Sequence, residues 1–183
     1  MDFIDHQTEL TELVQDILTE ANQQGADQAE VSVSMDQGLG VRVRKGELEN
    51  LEFNQDRGFG ITLYFGQRKG SASTTDSSLE AIRDTVKAAK NIAQHTQEDE
   101  CSGLADKALM PTQAMDLDLY HPWKIEPEEA TQLAIECEAA GLRVDERLVN
   151  SDGAEVSTQQ GLRVYGNSHG FIGSYSGTRH SLS

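Results

Sequence analysis

Five histidines, His6, His95, His121, His169 and His180, are the side chains of this sequence best suited to hold a metal or move a proton. Two zinc ligands on one helix need histidines four residues apart with an acid beside the first, so that both rings leave one face. No pair here has that spacing, so no metallopeptidase helix is present. His169 and His180 fall in segments that read as strands among Gly and Ser, where hydrogen-bonded or surface roles suit them better than ligation. Ser168-His169 and His180-Ser181 set a hydroxyl beside an imidazole, yet neither carries the sharp elbow that presents a nucleophile. A self-contained hydrolase using His169 or His180 is therefore a weak reading. Cys101 in an acidic loop and Cys137 on a helical pattern are too few and too far apart for a disulfide framework or a CxxC site, and read as reduced thiols.

The stretch from Arg57 to Ala89 has the ingredients of a phosphate loop: glycines, a basic turn and a Ser/Thr run before a helix. A Walker loop needs Gly, four residues, then Gly-Lys-Ser/Thr, whereas Gly66-Gln67-Arg68-Lys69-Gly70-Ser71 transposes lysine and glycine and shortens the gap. The dinucleotide fingerprint follows a strand, but Gly58-Phe59-Gly60 opens one. Phe59, Ile61, Leu63 and Phe65 alternate with Gly60, Thr62 and Tyr64, and Gly66–Gly70 reads as a tight reversal into Ser71-Ala72-Ser73. Ser77-x-x-Glu80 has capping-box spacing at the start of a helix. On spacing, the catalytic, cofactor-binding and metal-ligating residues assigned are none.

The elements that would position any site follow from periodicity. Leu10, Leu13, Val14, Ile17, Leu18 and Ala21 give an amphipathic helix over Thr8–Gln24, ending near Gly25. Ala29, Val31, Val33 and Met35 read as a strand, Asp36-Gln37-Gly38 as a turn, and Leu39, Val41 and Val43 as the return strand of a hairpin. Lys45-Gly46-Glu47 turns the chain again, Leu51 and Phe53 mark a third strand, and Ser78–His95 and Pro127–Ala140 are further helices. The fold class is α+β, an antiparallel sheet with amphipathic helices packed on it. Three parts follow: an N-terminal α+β module over 1–95, an acidic connector over 96–126 holding two of the three prolines, and a truncated second module from 127 to 183. Leu117, Leu119, Tyr120 and Trp123 argue that the connector packs on something. Ala29-Glu30-Val31-Ser32 before Gln37-Gly38-Leu39 echoes Ala154-Glu155-Val156-Ser157 before Gln160-Gly161-Leu162, which suggests a duplicated helix-hairpin unit. The second copy lacks a closing helix and the chain stops inside a strand pattern, so it is expected to be the N-terminal part of a longer protein.

A formal net charge of -16 over 183 residues leaves no basic stripe for a phosphate backbone and repels an anionic bilayer, so neither nucleic acid nor membrane is expected as a partner. No apolar run approaches the roughly 18 residues that span a bilayer, and the acidic N-terminus lacks a leader pattern, which points to the cytoplasm. With 37% hydrophobic residues and 5% aromatics the core is lean, so a second chain or further segments are expected to complete it.

Gly46–Asp76, Ala105–Met110 (ADKALM), Leu117–Pro122 (LDLYHP), Gly161–Phe171 (GLRVYGNSHGF) and Thr178–Ser183 (TRHSLS) together resemble the TldD/PmbA peptidases, in the PmbA (TldE) branch. The resemblance runs in order along nearly the whole chain. It implies a cytoplasmic TldD–TldE heterodimer that cleaves unstructured peptides, a microcin precursor and an antitoxin among them. It implies zinc in an HExxxH helix of the TldD-type partner and none in this chain, and it carries no catalytic residue onto this sequence. A stand-alone acidic adaptor, binding peptide strands at its sheet edges, is the alternative reading.

Overall fold

The computed structural model describes residues 5–183. The elements run α1 (His6–Gln23), β1 (Gln28–Arg44), β2 (Glu47–Phe65), β3 (Arg68–Thr74), α2 (Leu79–His95), a short 3-10 turn (Lys107–Leu109), α3 (Pro127–Leu142), β4 (Ala154–Asn167) and β5 (Ile172–Leu182). The strands form one five-stranded antiparallel sheet in the order β3-β2-β1-β4-β5. The α+β expectation and the three helices hold, with ends within two residues of those read from periodicity.

Two compact units share this chain, one made of residues up to Met35, Asp56–Leu117 and Leu162–Ser176, the other of Asp36–Gln55, Asp118–Gly161 and Gly177–Ser183. In the first, α1 buries Leu10, Val14, Ile17 and Ala21, and α2 buries Ile82, Val86, Ala89 and Ala93. Val31, Val33, Phe59, Ile61, Leu63, Leu162 and Val164 supply the sheet side of that core, as alternation requires. Burying such side chains is worth roughly 1.5–3 kcal/mol each. Helix α2 lies against β3 closely enough that a Cβ on Gly70 would collide with the backbone of Ala89 and Ala93. In the second unit, Val41, Val43, Ala154 and Val156 pack with Ile125, Ala130 and Ala134.

The turn expected at Asp36-Gln37-Gly38 is absent: β1 runs unbroken from Gln28 to Arg44. Gly38 lacks the positive φ that a tight reversal asks of glycine, and a Cβ there would sit 2.9 Å from Gln159 Cγ. Its glycine serves a close cross-strand approach to β4, not a reversal. The separate third strand at Leu51 and Phe53 is likewise the first part of the continuous β2. The reversal expected at Lys45-Gly46-Glu47 is present, with Lys45 and Gly46 both at positive φ (54° and 76°), as a two-residue hairpin turn requires.

Glu138 on α3, only 6% exposed, accepts the Lys45 and Gly46 amides, each at 2.8 Å. The hydrogen bond from Ser151 and then these two amides hold its carboxyl below the ordinary value. One acid of the α3 charge run is therefore a buried clamp and not part of a solvated face. The cap of α2 also differs by one residue from the capping-box spacing: Ser78 Oγ, not Ser77, accepts the Ala81 amide at 3.3 Å. The connector packs through its backbone, with the Thr178 amide donating to Leu119 O at 2.9 Å, while the Tyr120 hydroxyl donates to Gln160 Oε1 at 2.8 Å. Among the described residues no helix is long and apolar enough to cross a membrane.

Candidate functional site

In the first unit the sheet face that alternates away from Phe59, Ile61 and Leu63 is built of small residues. Ser32 and Ser34 stand on β1, Gly58, Gly60 and Thr62 on β2, and Ser71 and Ser73 on β3. The β2–β3 register sets Gly60 opposite Ser73 and Thr62 opposite Ser71, and the Thr62 and Ser71 hydroxyls bond at 2.9 Å. Two shallow hollows of 390 and 570 Å³ lie over this floor. Gly60 has no positive φ, and a Cβ built there would meet nothing closer than Ser32 O at 3.8 Å. Glycine inside a strand weakens it, and such a glycine is found at bulges, at tight bends and where another group approaches closely.

At one end of the floor three adjacent strands converge. Glu30 on β1 accepts the Tyr64 hydroxyl of β2 at 2.8 Å on Oε1 and the Tyr165 hydroxyl of β4 at 3.0 Å on Oε2. Burial, and after it the hydrogen bond to Glu30, raises the Tyr64 hydroxyl well above the ordinary tyrosine range. Burial raises Tyr165 too, against the opposing donation of Asn167 Nδ2. Both phenols therefore stay protonated and donate to the carboxylate.

The histidines are dispersed, and the rings of His6, His95, His121 and His180 are hydrogen-bonded. His180 Nε2 lies 2.9 Å from His121 O, a group that can only accept, so this nitrogen donates and Nδ1 accepts from Thr158 Oγ1 at 2.8 Å. Its ring meets Trp123 edge-on at 5.7 Å between centroids. His121 Nε2 donates to Asp118 O at 2.8 Å, His95 Nδ1 to Asn91 O at 2.8 Å, and His6 Nδ1 sits 2.9 Å from Glu9 Oε2. His169 lies in the β4–β5 turn with its Nδ1 buried and without a hydrogen-bond partner, while Ser168 beside it uses its hydroxyl to accept the Ala29 amide at 3.0 Å. Ser181 is hydrogen-bonded to Ser157. Zinc needs three or four convergent ligands, and among the described residues no three His, Cys, Asp or Glu side chains converge, so these residues do not fit the metal.

The glycine turn before β3 does not cradle phosphate. Gly66 N–H donates to Asp27 Oδ2 at 2.6 Å, and Arg68 faces Glu98 at 3.3 Å, so a carboxylate occupies the place a phosphate oxygen would take. The Glu30 constellation went unread in the sequence. Alternation places Tyr64 on the face opposite the core, but nothing local says that residues 30, 64 and 165 sit on neighbouring strands.

Two family models match the chain: PmbA/TldA metallopeptidase domain 1 over residues 29–93 and the PmbA/TldA metallopeptidase central domain over 120–183. The chain is 50% identical over 158 residues to Metalloprotease PmbA of Escherichia coli O157:H7, covering 86% of this chain and 35% of that protein. It is 48% identical over 175 residues to a Metalloprotease PmbA homolog of Haemophilus influenzae, covering 96% of this chain and 39% of that one. It thus spans little more than a third of the length of these relatives. A Bacteroides thetaiotaomicron crystal structure described as a modulator of DNA gyrase superposes with a TM-score of 0.86 at 22% identity, over 97% of this chain and 40% of that chain. TldE from Thermococcus kodakarensis superposes with 0.74 at 14% identity, over 93% and 38%. These two likenesses speak to the fold.

Proposed function

The chain belongs to the PmbA/TldD metallopeptidase family, in its PmbA (TldE) branch, and we propose that it works there as the wall-forming part of a non-metal subunit. In this reading a TldD-type partner supplies the zinc, and the two together cleave unstructured peptides in the cytoplasm, such as a microcin precursor or an antitoxin. The observation that carries it is the small-residue floor around Gly60, where the chain spends strand stability on a glycine that its own packing does not require. An extended peptide can approach such a floor to backbone distance, with Ser32, Thr62, Ser71 and Ser73 offering hydroxyls to its amides and carbonyls. The exposed Leu48, Leu51, Phe53 and Val149 of the second unit suit a chain that functions inside a larger assembly.

Positioning is a large part of peptide hydrolysis. Holding the substrate extended beside the reactive centre converts a bimolecular encounter into a local one, which this face can do without activating water itself. The test mixes the full-length protein and a purified TldD-type partner, separately and together, with an unstructured peptide. Cleavage is expected only in the mixture and is expected to stop on chelation. Chelator-resistant cleavage by this protein alone, or full activity of the partner without it, overturns the reading.

A further inference from the structure

The 390 Å³ hollow at the Glu30 end of the floor is lined by one carboxylate, one phenol and several hydroxyls, with no Lys, Arg or His in its lining. Each Glu30 oxygen already takes one tyrosine hydroxyl, at 2.8 and 3.0 Å, which fixes the carboxylate in orientation without neutralising it. Tyr64 is 7% exposed, so this clamp is rigid on its β2 side. Within the same hollow the Thr62 and Ser71 hydroxyls bond each other at 2.9 Å and keep lone pairs to spare, and Ser32 adds another hydroxyl. An anion held by neutral donors, beside unused acceptors, selects a compact cation with several N–H groups. A guanidinium fork would take the remaining lone pair of both carboxylate oxygens and leave the neighbouring hydroxyl oxygens unused. An ammonium needs one carboxylate lone pair and two hydroxyl oxygens.

We propose that the Glu30–Tyr64–Tyr165 hollow seats a primary ammonium group, the N-terminal amine of a peptide or the end of a lysine side chain, as the peptide lies on the small-residue face. The proposal rests on the wall reading above and gives it register: an N-terminal amine anchored at Glu30 places that end of the peptide at this end of the floor, and a lysine places its own position there. Glu30 acts here as a binding residue, with Tyr64 and Tyr165 as its positioning residues.

The experiment measures, by fluorescence anisotropy, the binding of three versions of one unstructured peptide to the full-length protein. One has a free N-terminus and no lysine, one is N-acetylated with a single lysine, and one is N-acetylated without lysine. The third is expected to bind at least about tenfold more weakly than the better of the first two, the loss that one charge-assisted hydrogen-bonded contact represents. Whichever of the first two binds more tightly identifies the source of the amine. Glu30→Gln, which keeps the size of the side chain and loses its charge, is expected to bring the three together. Equal binding of all three versions by the unmodified protein overturns the proposal and needs no variant to fold. A preference that survives Glu30→Gln also overturns it. Binding that ignores the amine defeats the ammonium seat alone, whereas no binding of any version by the protein or its complex defeats the wall reading as well.

Discussion

Two glycines ten residues apart show how differently the same residue can be used. Gly70 has the backbone of α2 against it, so Gly70→Ala forces helix and strand apart. Overpacking of that kind costs about 1–3 kcal/mol, and chemical denaturation should show at least that loss. A Cβ on Gly60 would meet nothing tighter than van der Waals contact with Ser32 O at 3.8 Å, and the backbone there is ordinary strand, so Gly60→Val should leave the fold as stable or up to about 1 kcal/mol more stable, by removing strand-glycine entropy. The same variant should weaken peptide binding by roughly tenfold, the equivalent of 1.4 kcal/mol, because the new methyls occupy the floor. A melting temperature and a binding curve on one sample check both halves. Unchanged peptide binding by Gly60→Val would remove the main support for the floor as a contact surface. The sequence could not separate these roles, since the helix that crowds Gly70 and the lack of any such crowding at Gly60 are both tertiary facts.

Among the elements, the helices and the β2–β3 hairpin were legible because their signals are local. Leu10, Val14, Ile17 and Ala21 recur at helical spacing and are all buried, and Gly66, with φ at 59°, turns the chain, although the reversal is confined to Gly66-Gln67 and the expected turn residues Arg68–Gly70 are already paired in β3. Strand continuity was not legible. Gly38 and the polar Asp36-Gln37 look like a reversal, yet their neighbours on β4 lie more than a hundred residues away and hold the strand straight. The clamp on the β1–β2 turn was hidden for a similar reason, since Glu138 is surrounded in sequence by other acids and only α3 packing shows its two amide partners. That clamp has a pH signature. A carboxyl held below its ordinary value of 4.5 contributes stability that is fully present above that value and is lost as the pH falls through the lower folded value. Glu138→Gln places an amide NH₂ against one backbone N–H. It should lower the urea midpoint at neutral pH and flatten the wild type's fall in stability on the acid side. Parallel midpoint-versus-pH curves for wild type and variant would contradict the clamp.

At the scale of the molecule, sequential order and spatial order diverge. The first unit closes around β1, whose neighbour on one side, β2, follows after a two-residue turn, while its neighbour on the other side, β4, arrives only with Leu162–Ser176. Composition and charge carried no trace of this interleaving. A chain cut after Leu117 keeps both helices of that unit and loses the segment that pairs with Ala29 and packs Leu162 and Val164 into its core. It should lose cooperative unfolding and near-ultraviolet dichroism. A sharp transition matching that of the 183-residue chain would show that β4 is dispensable. On the ribosome, the same arrangement imposes a wait. Sixty-seven positions separate His95 from Leu162, roughly 3 to 13 seconds of synthesis at 5–20 residues per second. Through that interval the nascent chain carries Val31 and Val33 on a strand with one bare side, open to a chaperone or to another copy of itself. Arrested chains of increasing length should become protease-resistant only once Ser176 has cleared the exit tunnel. Translation speed over the connector thus becomes a determinant of yield for a protein whose finished fold gives no sign of it.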